Sequence, residues 1–389
     1  MRVLLLGLFR GASFSRVMFL IVFLIFFVGV FPITGCSPGK LTIGVAGPTP
    51  TPGNAFVFTA NAGGNSISGF SNNGTGSLTA VPGSPFSSPG QPFGLAATPN
   101  NVFLYVSSFQ NAQVTGFSIN STTGALTPLA CPVATTGSQP LKIAINTAGT
   151  LLYTANQVGS VSGFAINTGT GCLTAISTTT TDSVARGLTI DGTGQFLYVV
   201  TGGGGIDLFT IATNGTLTRQ VIGGFDSGTT TMLAVKAVPN LNVLIATDGG
   251  STNNLRTFII NTSTGALTPI IATVAGSSPP NPSAIAVNLP ASATTPPFYI
   301  ANTASNNLTV NTIAADATIG ASSLTVPASI GPIDLAVDPS GKFLYVANNG
   351  ASTVTAFNAN INAGNVNSAI ISFVATGSGP ESIVVVGHP

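Results

Sequence analysis

The chain has 389 residues, of which 44% are hydrophobic and only 5% charged, with 47 Gly, 26 Pro and no Trp. Soluble domains usually carry about 25% charge, so Ser, Thr, Asn and Gly must keep this surface wet, and a body of helices laced with ion pairs is excluded. A formal net charge of +1 gives no long-range attraction for a phosphate backbone, so nucleic acid is not an expected partner.

The first 35 residues differ from the rest. Arg2, Arg10 and Arg16 precede the apolar run VMFLIVFLIFFVGVF (17–31), and PITGCS follows it. A basic start, an apolar core and small residues before a cysteine read as a secretory leader. Ile33-Thr34-Gly35-Cys36 resembles a bacterial lipobox, which implies cleavage before Cys36 and a body tethered to the membrane by lipid on Cys36. An uncleaved signal anchor is the alternative, because the run approaches the ~18–20 residues that span a bilayer and Pro32 lies close to the cut. Removing the leader's three arginines leaves seven basic against nine acidic residues. Residues 37–54, SPGKLTIGVAGPTPTPGN, have the Pro/Gly/Thr content of an extended spacer. The expected organisation is a lipoprotein signal peptide over 1–35, the lipidated cysteine and linker over 36–54, and a body over 55–389 held in the cell envelope, in the periplasm or at the cell surface.

The body repeats itself. AFVFTANAGGNSISGF (55–70), FLYVSSFQNAQVTGF (103–117), LLYTANQVGSVSGF (151–164), FLYVVTGGGGIDLF (196–209), VLIATDGGSTNNLRTF (243–258), FYIANTASNNLTVNTI (298–313) and FLYVANNGASTVTAF (343–357) start 45 to 55 residues apart. That is the period of a propeller blade. From residue 91, GLAAT, VFLYVSS, QVTGFSI and ALTPL are four short strands separated by Pro/Asn, polar and Thr-Gly turns, as one antiparallel blade requires. The innermost strand is small and aliphatic because it crowds the axis, and the second carries the aromatics. Tyr105, Tyr153, Tyr198, Tyr299 and Tyr345 are accordingly core residues and not ligand-stacking ones. The TGxLT phrase in STTGALTP (121–128), NTGTGCLT (167–174) and NTSTGALTP (261–269) is a hairpin turn needing Gly at positive φ.

The two ends complete each other. GPESIVVVGHP (379–389) reads as an inner strand with nothing after it, and AFVFTAN (55–61) as a second strand with nothing before it. The predicted fold is therefore all-β: a seven-bladed β-propeller of four-stranded antiparallel blades, closed by the C-terminal strand pairing into the first blade, which leaves no exposed sheet edge. Cys131 closes the strand ALTPLAC while Cys172 opens the equivalent strand one repeat later, roughly six residues or ~20 Å away along the strand. A disulfide needs Cα atoms within about 7 Å, so two free thiols are expected.

LLYTAN, FYIAN and FLYVAN, with their P-x-x-aliphatic lead-ins and TGxLT turns, resemble the lactonase-type, YVTN-repeat propellers, a family that includes 6-phosphogluconolactonase-like proteins. The resemblance spans almost all of 55–389 and implies the fold more firmly than an activity, since propellers host many functions. It also implies that catalysis, where present, uses His, Glu and Arg at the mouth of the central channel. The sole histidine, His388, falls in the turn after the closing strand, at the opposite channel end, so no His-based acid/base or metal centre is expected.

Charge placement supplies the candidate site. At the two positions before the leading aliphatic of each inner strand, four of fourteen residues are charged: Lys142, Arg186, Asp334 and Glu381. Lys142 and Arg186 belong to adjacent blades, as do Asp334 and Glu381, so the mouth would offer a cationic and an anionic flank to a small polar ligand. Strand alternation places Lys142 and Asp334 in one register and Arg186 and Glu381 in the next. GGGG (202–205) is a turn without the helix and Lys of a phosphate loop, Asp191 and Asp338 sit in Asx-type turns, and Asn214-Gly215-Thr216 belongs to a Thr/Asn-rich surface. No metal or cofactor is expected. The leading expectation is a monomeric, lipid-anchored binding or scaffolding module without catalysis, whose partner is a protein or a small polar ligand. The alternative is a lactonase-like hydrolase or isomerase of a small anionic sugar or muconate lactone, with Arg186 and Lys142 holding the anion and Glu381 or Asp334 as base.

Overall fold

The computed structural model describes residues 55–226, 231–249, 255–270, 281–289, 294–320, 324–360 and 365–387. They form seven antiparallel sheets, and in each the strands follow chain order from the inside outward except at the seam. The inner strands are Pro380–Val386 (blade 1), Pro92–Ala97 (blade 2), Pro140–Ile145 (blade 3), Ala185–Ile190 (blade 4), Met232–Val238 (blade 5), Pro282–Val287 (blade 6) and Pro332–Val337 (blade 7). In blade 1 the closing strand pairs with Phe56–Asn61, matching Phe56 to Val386 and Thr59 to Ile383. The predicted closure is thus the observed one. Blades 1 and 2 differ in one detail, an outer strand broken into two short pieces that both pair with the third strand.

Blades are held together by a repeated contact between the second strand of one and the outer turn of the next. The five tyrosines are fully buried. Tyr105 of blade 2 donates its hydroxyl to the Gly171 carbonyl of blade 3 at 2.7 Å, Tyr153 of blade 3 to Gly215 of blade 4 at 2.8 Å, and Tyr198 of blade 4 to Gly265 of blade 5 at 2.7 Å. Gly171 and Gly265 belong to TGxLT turns and Gly215 to the equivalent NGTLT turn. Gly171 (φ 74°) and Gly265 (φ 73°) adopt a left-handed conformation, and a Cβ on either would collide with the ring of Phe103 or Phe196 in the preceding blade. The turn therefore needs glycine twice over, for its φ and for its seat on the neighbour's aromatic ring.

Burial desolvates the tyrosine hydroxyls and pushes their pKa values up, so they act as permanent donors. Tyr345 permits a test, since its hydroxyl is buried without a hydrogen-bond partner among the described residues. Tyr198→Phe strands the Gly265 carbonyl and should cost about 1–3 kcal/mol, whereas Tyr345→Phe should cost nothing or stabilise. Paired denaturant titrations of the two variants check this contrast.

The cysteines overturn the sequence expectation. Cys131 and Cys172 form a disulfide with Cα atoms 5.3 Å apart. The outer strand of blade 2 breaks off at Pro128 and resumes only at Ala134, so Cys131 lies in the gap, off the sheet, and the strand offset that kept the thiols apart does not exist. Cys172 stands just ahead of the outer strand of blade 3, Leu173–Thr180. The bond ties blade 2 to blade 3 across a sequence separation of 41, a loop whose closure removes about 4 kcal/mol of unfolded-state entropy. Replacing both cysteines by serine should lower the melting temperature by roughly 5–10 °C, read by circular dichroism.

Candidate site at the channel mouth

Every inner strand carries an irregularity in its pairing at its first turn of chain, next to the mouth. In blade 4 the register steps from Ala185↔Thr201 to Gly187↔Val200, leaving Arg186 as the extra residue. In blade 1 it steps from Pro380↔Asn61 to Ser382↔Ala60, leaving Glu381. A bulge re-aims the side chain it carries, so simple alternation does not apply to Arg186 and Glu381.

The four predicted residues separate accordingly. Lys142 reaches from blade 3 past blades 2 and 1 to blade 7, where Nζ donates to Asp334 Oδ2 at 3.0 Å and to the Glu381 carbonyl at 3.2 Å. Asp334 is saturated: Oδ2 also accepts from Ser382 Oγ at 2.8 Å and from the Ile383 amide at 3.3 Å, and Oδ1 from the Leu335 amide. The cationic and anionic flanks are therefore bridged, not opposed across an open mouth. Glu381 turns toward blade 7, where Oε1 accepts from Asn349 Nδ2 at 2.8 Å. Arg186 lies beside Gly202 at the top of its own blade, with a buried Nε that has no partner among the described residues.

A fifth charge was missed. Lys236, in the inner strand of blade 5, is exposed and forms no ion pair among the described residues. At mid-strand on the innermost element, that exposure is to the channel. It lies two residues beyond the mouth positions, on the same alternation as Ala234. The signal was present in MLAVKAV, a single charge inside a strand otherwise built of small and aliphatic residues. The surrounding protein lowers its pKa by desolvation, and the attraction of Asp334 opposes that.

Burial raises the Glu381 pKa, with Lys142 and the Asn349 hydrogen bond pulling down and Asp334 pushing up. The folded state therefore holds this proton more tightly than the unfolded chain, and stability falls as pH rises from the ordinary value of 4.5 through the raised one. Glu381→Gln keeps the Asn349 contact and removes the penalty. Thermal melts across that window should show the variant equal to the parent at acid pH and increasingly more stable above it.

Among the described residues no cluster of His, Cys, Asp and Glu could hold a metal ion. Cys36 and His388 lie outside the described residues.

The described residues form a closed seven-bladed ring, the fold of the lactonase-type propellers. Residues 130–280 match the family model described as Lactonase, 7-bladed beta-propeller. A candidate 6-phosphogluconolactonase from Bacteroides uniformis superposes with a TM-score of 0.73 at 17% identity, over 86% of this chain and 100% of that one. The periplasmic gluconolactonase of Pseudomonas aeruginosa gives 0.72 at 15% identity, over 87% and 100%. Hydrazine synthase of Kuenenia stuttgartiensis gives 0.57 at 19% identity, over 75% and 88%. Among curated proteins none matches the chain by sequence. The resemblance read from the repeats is thus borne out, and the structural likenesses establish the fold.

Proposed function

We propose that this protein is a lactonase-like enzyme of the cell envelope, acting on a small anionic lactone at the channel mouth. The observation that carries the reading is Glu381, a carboxyl of raised proton affinity beside the Lys142 amine at the mouth, in a chain whose residues 130–280 match the lactonase model. The lactonase alternative is favoured over the scaffold because family model and structural relatives both carry lactonases.

The chemistry follows from which groups are free. Asp334 spends both oxygens on internal donors, whereas Glu381 accepts a single hydrogen bond among the described residues. Glu381 is therefore the base that takes a proton from water as the water adds to the lactone carbonyl. Arg186, with its unpartnered Nε, and Lys236 in the channel supply positive charge for the substrate anion and for the oxyanion that forms. Ring opening then breaks the ester C–O bond, and the ring oxygen takes the proton back. The isomerase variant uses the same base on carbon.

The envelope address rests on the leader and Cys36, by which we propose the body is lipid-anchored. The Cys131–Cys172 disulfide supports it, since such bonds persist in oxidising compartments. Among the described residues no helix is long and apolar enough to cross a membrane.

The full-length protein in detergent should open a phosphorylated sugar lactone or a muconate lactone. Glu381→Gln should lower kcat by roughly 10²–10⁴-fold, and Arg186→Met should mainly raise KM. Failure of the parent to open any lactone of either class would overturn the reading. A binding module is the second reading, favoured by the Lys142–Asp334 link that ties up two of the four mouth charges. It predicts saturable binding of the same anions without turnover.

A further inference from the structure

Blades 4 and 5 depart from a pattern that four blades share, and they alone put charge in its place, since blade 2 ends its second strand in the neutral Ser108. In blades 1, 3, 6 and 7 a fully buried Asn ends the second strand. Its Nδ2 donates across the hairpin to neutral groups: Asn61 to Ser66 and Ser68, Asn156 to Ser160 and Ser162, Asn302 to Asn307 and Thr309, and Asn348 to Thr353 and Thr355. Blade 4 has Thr201 in place of the Asn, and puts Asp207 opposite Val199, where blade 3 has Ser162 opposite Thr154. Blade 5 has Asp248 in place of the Asn and Arg256 at the Ser162 register. Arg256 Nη2 pairs with Asp248 at 3.0 Å and its guanidinium lies 5.5 Å from the centre of the Phe225 ring. In a chain with 5% charge, replacing a self-contained neutral lock by charges at two adjacent blades is not required by the fold, since the other blades do without it.

A cavity of about 450 Å³ opens at this place, outward of Arg186 beyond the Gly202–Gly205 turn. That is within the ~300–1,000 Å³ of small-molecule sites. It exists because the outer strand of blade 4 steps from Gln220, opposite Leu208, to Phe225, opposite Ile206, which widens the blade. The glycines at 203 and 205 leave its rim without side chains. Arg219 Nη2 bridges Asp207 at 2.9 Å and Asp182, whose own amide donates to Asp207 at 2.9 Å. Arg219 Nε is buried without a partner among the described residues, and Asp182 is exposed.

We propose that this cavity is a second ligand site, distinct from the channel mouth, that takes a neutral polyhydroxylated molecule, a saccharide. Among the described residues its lining carries two carboxylates and one guanidinium, a net negative charge that disfavours the anionic lactones assigned to the channel. Asp182 offers acceptors, Gln220, whose Nε2 already donates to Thr210 and to the Thr218 carbonyl, offers its amide oxygen as a further acceptor, and Arg219 offers donors, which is the mixed complement that ring hydroxyls satisfy, each being both donor and acceptor. Phe225 gives an apolar wall for the sugar's C–H face. The proposal does not depend on lactonase activity, because no residue is shared.

Isothermal titration of the full-length protein with glucose, galactose, maltotriose and cellotriose tests it, with 6-phosphogluconate as the anionic control. At least one neutral sugar should bind saturably with a Kd in the millimolar range or tighter. Asp182→Asn and Gln220→Ala should each weaken that binding about tenfold while leaving the melting temperature unchanged, and Arg186→Met should not affect it. No saturable binding of any of the four sugars overturns the proposal. So does binding that survives both variants, or that Arg186→Met abolishes.

Discussion

The structure depends on one contact made at four blade junctions, a left-handed glycine in the outer turn of one blade seated on a phenylalanine ring of the blade before. It recurs at Gly76 on Phe343 and at Gly124 on Phe56, so the seam between blades 7 and 1 is locked as the others are. A buried tyrosine hydroxyl also caps the glycine carbonyl at two of these junctions and at the one where Gly215 rests on Leu151 instead, which fixes those neighbours in both distance and rotation. The ring therefore needs neither ion pairs nor helices to be rigid, and its surface can be almost free of charge.

That economy makes the remaining charges informative. Asp191 and Asp338 accept amide hydrogen bonds within their own turns, at Phe196 and Phe343, and are accounted for by local geometry. Asp316 likewise accepts from Thr318 inside its own exposed turn. Most of the others fall in two groups: Lys142, Asp334 and Glu381 with Lys236 line the axis, and Asp182, Asp207, Arg219, Asp248 and Arg256 crowd blades 4 and 5.

Blade number, strand grammar, the closing strand and the core role of the tyrosines were all legible in the sequence, because each is a consequence of periodicity. What was not legible came from departures within a repeat. The disulfide was hidden by an outer strand that is interrupted between Pro128 and Ala134, so counting residues along an assumed unbroken strand put the thiols too far apart. Arg186 and Glu381 sit at bulges, whose directions alternation cannot supply. Lys236 fell outside a window drawn two positions wide. The loss of Asn from VVTGGGG and IATDGG was visible in the aligned copies, but it acquires meaning only once Asn156 is seen holding Ser160 and Ser162 in the ordinary blade.

The seam has a consequence for how the ring comes into being. Blade 1 takes its innermost strand from Pro380–Val386, so a nascent polypeptide can stack the intermediate sheets in order as they emerge, yet none of these arcs can seal. Until Pro380–Val386 arrives, Phe56–Asn61 presents a bare hydrogen-bonding edge, and sealing of the ring waits on that one strand.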